Sequence, residues 1–171
     1  MQGVPKGKVV LLPYDEHWAE EYELVKQQVL EILGGDVLAI HHIGSTAVPG
    51  LVAKPILDIA VVVRDISSIN ASGMVAAGYD DTGNRDVGGR RLFVMRRDGI
   101  LSTHHIHCYP PEHDNLRHCL LFRDYLRSHP DAAVTYGQLK LSLCDQYVDD
   151  RIAYTDNKAD FIESILQKAQ Q

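Results

Sequence analysis

Asp58 lies in KPILDIAVVV, residues 54–63, where nearly every neighbour is apolar. A carboxylate taken out of water costs several kcal/mol unless it is paired, hydrogen-bonded or bound to a metal. On the residues alone it is either a structural acid, tied to a turn or to a cation such as Lys54, or a metal-binding or catalytic one. Strand alternation puts Ile56, Asp58 and Ala60 on one face. Just upstream, Gly44 and Ser45 leave an earlier apolar stretch. A Gly-Ser corner can offer backbone N–H groups and a hydroxyl to a phosphate. A carboxylate strand beside it can hold a metal between that phosphate and an attacking group. The spacing is not that of a P-loop, which needs four residues between its glycines and Lys-Ser/Thr directly after the second. Here five residues separate Gly44 from Gly50, and Lys54 is followed by Pro55.

Of nine histidines, five fall in two clusters, His41-His42 and His104-His105-x-His107. His105 and His107 lie two apart on a predicted strand, so both imidazoles leave one face. That spacing suits one transition-metal ion, and Asp58 would complete a two-histidine, one-carboxylate set. The alternative is a pair of half-buried strand histidines with backbone or carboxylate partners. His42, two residues before Gly44, is expected to orient the loop.

Cations recur where helices should be dry. At 100° per residue, Leu116, Leu120, Arg123 and Arg127 fall within about 60° of one another. The next predicted helix sets Lys140 among Ala133, Tyr136, Leu143, Cys144 and Tyr147, and the last sets Lys158 in line with Phe161, Ile162, Ile165 and Ala169. One such residue would be a snorkelling side chain. Three helices in succession point to convergence on an anion, with Asp124, Asp145 or Asp160 as the competing internal partners. Lys158 also stands near a helix N-terminus, where the dipole favours an anion over a cation. Lys54 is expected to join the same pocket.

The elements that must position these groups read as α+β: an N-terminal helix, a small sheet with a hairpin, then helices. Asp15 is the predicted cap of a first helix carrying Trp18, Tyr22, Val25, Val29 and Ile32 on one face, ended by Gly34-Gly35. Strands are predicted over 37–43 and 55–63, the second covered on both faces, with a short helix over 67–77. Asp98-Gly99 predicts a two-residue hairpin turn between strands 90–97 and 100–109, pairing Arg97 with Ile100, Leu92 with His105 and Arg90 with His107. Helix follows from Glu112, restarts at Pro130, and resumes from a Thr155 cap to about Lys168.

No repeat or linker divides the 171 residues, so a single domain over 1–171 is expected. The longest apolar stretch, 59–63, is too short for a bilayer, and the N-terminus lacks a secretory pattern. No membrane association and a cytoplasmic location are the expectations. A net charge of −6 disfavours a nucleic-acid surface. Three cysteines without a C-x-x-C pair argue against a disulfide framework or a thiolate zinc site.

The stretch HIGSTAVPGLVAKPILDIAVVV, with HHIHCY, LLFRDYLRSHP and YTDNKADFIESIL, resembles the GrpB-like family over residues 14 to 169. The resemblance implies a nucleotidyltransferase-type fold with a small mixed sheet, whose general pattern is Gly-Ser, a spacer, then Asp-x-Asp/Glu on a strand. It also implies a domain found fused to dephospho-coenzyme A kinase in some bacteria. In that superfamily two acids on one strand face bind divalent metals; here Asp58 is followed by Ala60, which cannot ligate. One expectation is therefore a nucleotidyl- or phosphoryl-transfer enzyme acting on a phosphorylated small molecule or nucleotide. Gly44, Ser45, Lys54, Arg123, Arg127, Lys140 and Lys158 would take the phosphates, and Asp58, with His105 or His107, would hold Mg²⁺ or Mn²⁺ ahead of Zn²⁺. The alternatives are a binding module for nucleotide or coenzyme A that has lost its chemistry, and a His/Asp metallohydrolase.

Overall fold

The computed structural model describes residues 1–83 and 89–170. After β1 (Val4–Pro5) come α1 (His17–Leu33), β2 (Val37–Ile43), β3 (Leu57–Val63), α2 (Ala71–Ala76), β4 (Tyr79–Gly83), β5 (Arg91–Arg97) and β6 (Leu101–Tyr109). Four helices follow: α3 (Asp114–Ser128), α4 (Pro130–Gln146), α5 (Arg151–Asp156) and α6 (Ala159–Ala169). The strands form one mixed sheet in the order β2-β3-β6-β5-β4, with β1 pairing on β6. β3 and β6 are parallel and the remaining pairs antiparallel.

The apolar run of β3 has the cause expected of it: flanked by β2 and β6, it is covered on both faces. Leu57, Ile59, Val61 and Val63 face α1 and α2 and share a core with Val25, Val29, Met74, Phe93 and Ile106. Ala60 and Val62 face the other way, against Ile43, Tyr109 and Leu116 of α3. Asp58 belongs to this second face, at the N-terminal end of the strand.

Several boundaries differ from the sequence expectation. The N-cap of α1 is Glu16, with no side-chain cap, rather than Asp15, whose carboxylate accepts from the His17 backbone N–H at 3.0 Å from one residue further out; Gly34 closes the helix at φ 60°. The helix predicted over 67–77 shrinks to Ala71–Ala76, because Asn70 caps it by accepting from Gly73 N–H. The last helix is broken: Thr155 lies inside α5, donating to Arg151 O, and α6 starts after Lys158.

The hairpin register also shifts. Arg97 pairs with Leu101, Val94 with His105 and Leu92 with His107. Asp98 and Gly99 both take left-handed backbone, as such a turn requires, but Ile100 stays in the loop. Thr103 is then passed over between the Arg96–Ser102 and Met95–His104 pairs, as a bulge. Two one-residue insertions on β6 total two, so the alternation is restored and the histidines keep their face.

Candidate functional site

β3 and β6 run side by side, and their register sets Asp58 against His105 and Ala60 against His107. Because the strands are parallel and in this register, the three side chains leave the sheet together. His105 Nδ1 lies 3.0 Å and His107 Nε2 3.4 Å from Asp58 Oδ1. Potential ligand atoms from the three residues lie within 4.8 Å of one another. Burial alone would raise the Asp58 carboxyl, but the hydrogen bonds and charges of His105 and His107 outweigh it and hold the group well below the usual carboxylate range. Burial lowers His107, against the pull of Asp58. Arg90, just before β5, reaches His107 Nδ1 at 3.0 Å.

The corner after β2 is drawn tight against this acid. Gly44 has φ 71° and ψ −172°, a region open essentially to glycine. A Cβ there would stand 2.8 Å from Asp58 Oδ2. Gly44 thus allows close approach of the corner to Asp58, and Ser45 is the residue that reaches the hollow. His42 does orient this loop: its Nε2 lies 3.0 Å from Thr46 Oγ1 and its ring stacks on Tyr22. Burial, and then Arg127, push His42 down to about 4, so it serves here as a neutral ring.

Asp58 opens into a cavity of about 100 Å³ lined by Ser45, Thr46, Lys54, His105, Arg151, Tyr154 and Lys158, with Lys140 in its wall. None of Lys54, Lys140, Arg151 and Lys158 makes an ion pair among the described residues. The Tyr154 ring sits under two of them, with Lys158 Nζ at 4.3 Å and Lys54 Nζ at 5.7 Å from its centroid. Burial first, then neighbouring cations, lower all three lysines, Lys158 to about 8 and Lys140 to about 7. A chain of net charge −6 has therefore gathered unpaired positive charge around one small hollow.

Lys54, Lys140 and Lys158 converge as the sequence suggested. Arg123 and Arg127 do not. Arg123 donates to His42 O at 2.9 Å and pairs with Asp124, while Arg127 donates to Ala47 O at 2.8 Å. They brace the corner from outside the cavity. Arg151 and Tyr154 escaped sequence reasoning. With Lys158 they lie at i, i+3 and i+7, one helical face, but the break between α5 and α6 interrupts the periodicity that would have revealed it.

Two ions bridged by paired acids do not fit, since Ala60 offers no ligand and is fully buried. A single ion does fit. Metal–ligand bonds of about 2.1 Å at tetrahedral angles separate ligand atoms by about 3.4 Å, close to the spacings at Asp58 Oδ1.

Residues 8–168 match the family described as GrpB protein. The UPF0157 protein YqkA of Bacillus subtilis (strain 168) is 38% identical over 167 residues, covering 96% of this chain and 48% of that protein. The chain thus spans about half the length of that relative. The glutamate-rich protein GrpB of Alkalihalophilus pseudofirmus is 33% identical, covering 98% of this chain and 99% of its own. The crystal structure of conserved protein GrpB from Enterococcus faecalis superposes with a TM-score of 0.87 at 34% identity, over 94% of this chain and 96% of that one. A distant likeness, of fold alone, is to the Cid1 poly(U) polymerase, with a TM-score of 0.51 at 12% identity over 81% of this chain and 43% of that chain. No helix among the described residues is long and apolar enough to cross a membrane.

Proposed function

The chain belongs to the GrpB family, and from that premise we propose that it binds the phosphate end of a nucleotide or other phosphorylated small molecule. The seat is the hollow beside Asp58, next to one divalent metal held by Asp58, His105 and His107. The observation that carries this reading is the set of unpaired cations around a single cavity. Left empty, they repel one another and depress their own protonation; an anion relieves both effects. At an effective dielectric of about 20, each cation within 4 Å of a phosphate charge contributes about 4 kcal/mol of attraction before desolvation. The cavity of about 100 Å³ is too small for a whole nucleotide, since drug-sized sites run to ~300 Å³ and above. It suits a phosphoryl group, with the rest of the ligand leaving through the open mouth.

Lys54, Arg151 and Lys158 neutralise the phosphoryl oxygens, the Tyr154 ring keeps two of these cations in place, and Ser45 faces the bound group from the corner. Asp58 and the two imidazoles favour a transition metal such as Mn²⁺ or Zn²⁺ over Mg²⁺, because nitrogen donors suit the softer ions. When bound, the metal would supply charge stabilisation at a phosphoryl oxygen. Ala60 supports the coarser version, binding of a nucleotide or coenzyme A-type ligand without transfer, because the paired-acid machinery is incomplete.

Calorimetric titration with ADP, ATP and inorganic phosphate, with and without Mn²⁺, tests the proposal. Binding should weaken about tenfold to a hundredfold in Lys158→Met, and its metal dependence should vanish in Asp58→Ala. Pyrophosphate release from ATP would favour transfer over binding alone. Failure of every phosphate ligand to bind the wild-type chain would overturn the reading.

A further inference from the structure

Lys140 is 2% exposed and among the largest fully buried side chains. Its Nζ lies 3.0 Å from Ser45 Oγ, hydrogen-bonds to Val52 O, and sits 4.8 Å from the centroid of the Tyr136 ring. No carboxylate pairs with it among the described residues. A methionine or leucine would fill this space without the several kcal/mol of desolvation that an ammonium costs. The groups that bear on it electrostatically come from two further segments: Lys54 before β3, and Lys158 between α5 and α6. Both are cations, and with burial they push the amine down to about 7. Among the described residues, Asp58 is the one acid in the cavity lining. Nζ donates to both Val52 O and Ser45 Oγ; once it loses its proton, the same 3.0 Å contact lets its lone pair accept the hydroxyl hydrogen of Ser45. Ser45 and Lys140 both line the cavity, so the hydroxyl and the amine meet at its wall.

We propose that Ser45 is a nucleophile and Lys140 its general base, so that the basin transfers a phosphoryl group to Ser45 Oγ. The inference rests on the phosphate-binding reading above and adds to it a covalent step. Ser45 Oγ attacks the phosphorus of an acyl phosphate or phosphoric anhydride. The Oγ–P bond forms as the bond from phosphorus to the leaving oxygen breaks, and that oxygen departs with the electron pair as a carboxylate or nucleoside phosphate. The hydroxyl proton passes to Lys140 Nζ. Lys54, Arg151 and Lys158 hold the non-bridging oxygens throughout, which leaves Lys140 free to act as a base rather than a counter-ion. A hydroxyl beside an amine of depressed pKa meets the general requirement for an activated nucleophile.

Acetyl phosphate, small enough for the cavity, is the probe. Purified chain is incubated with it, label is read by intact mass and peptide mapping, and occupancy of the basin is measured separately by calorimetry. One phosphoryl group should appear on Ser45 and be absent in Ser45→Ala. The labelling rate of the wild type should rise with pH through the neutral to mildly alkaline range. Lys140→Arg keeps a cation and donors but supplies no base at these pH values; compared at equal occupancy of the basin, it should label about 100-fold more slowly or worse. Acetyl phosphate that occupies the basin without labelling Ser45, a flat pH profile, or undiminished labelling in Lys140→Arg would each overturn the covalent step while leaving phosphate binding intact. Absence of binding altogether would remove both. Should Lys140→Arg not fold, the Ser45→Ala comparison and the wild-type pH profile still decide.

Discussion

The two faces of the sheet solve different problems. Toward α1 and α2 lies one contiguous core that includes Leu57, Ile59, Val61, Val63, Phe93 and Ile106. Toward α3 to α6 the apolar packing splits into separate clusters around Val62, around Leu51 and Leu126, and around Val9 and Tyr154. Between them lie Asp58, Ser45, Lys140 and the cationic basin. The first face is built as a stable domain requires. The second gives up continuity and keeps unpaired lysines under cover, an arrangement that stability alone would select against. This contrast, within one strand of alternating side chains, is what assigns function to the second face.

If that division holds, substitutions on the two faces should differ in kind. Ile59→Ala, on the dry face, should lower the unfolding free energy by about 2–5 kcal/mol, read from urea denaturation, and reduce ligand binding only through loss of folded protein. Gly44→Ala, at the corner, should cost about 1–3 kcal/mol and displace the Asp58 carboxylate. Its metal affinity should therefore fall even in the folded fraction, as a Mn²⁺ titration would register. Lys158→Met should act in the opposite sense on stability, raising it by about 1 kcal/mol through relief of like-charge repulsion while phosphate binding falls.

The dry face was the legible one. Its residues alternate in β3 and recur at helical spacing in α1, so local pattern and burial agree. Asp58, His105 and His107 could be singled out because polar residues in apolar strands stand out. That β3 and β6 run parallel and adjacent is a matter of topology, beyond any local signal. The hairpin shows the same limit: Asp98-Gly99 marked the turn, but neither Ile100 in the loop nor the Thr103 bulge carries a sequence signature, and together they moved the register by two. The cation stripes were visible on their helices, yet only placement separates Lys140 and Lys158, which reach the basin, from Arg123 and Arg127, which cap backbone carbonyls of the corner.

The second face should also show itself in the pH dependence of stability. The folded chain releases the Lys140 proton near pH 7, whereas the unpaired lysine holds it to 10.5. Between these values the unfolded chain carries the extra proton, so stability rises with pH across the window. Lys158, lowered to about 8, acts in the same direction. In phosphate-free buffer the Tm should increase by roughly 5–10 °C from pH 7 to pH 9. The increase should shrink in Lys158→Met. Phosphate, by restoring the proton of Lys158, should stabilise the chain more at pH 7 than at pH 9.

The most direct trial of the basin is a crystal soaked in tungstate, whose anomalous signal locates a tetrahedral dianion without assumption. One ion should appear beside Ser45, within hydrogen-bonding reach of Lys54, Arg151 and Lys158. Tungstate bound elsewhere on the surface, with that hollow empty, would contradict it.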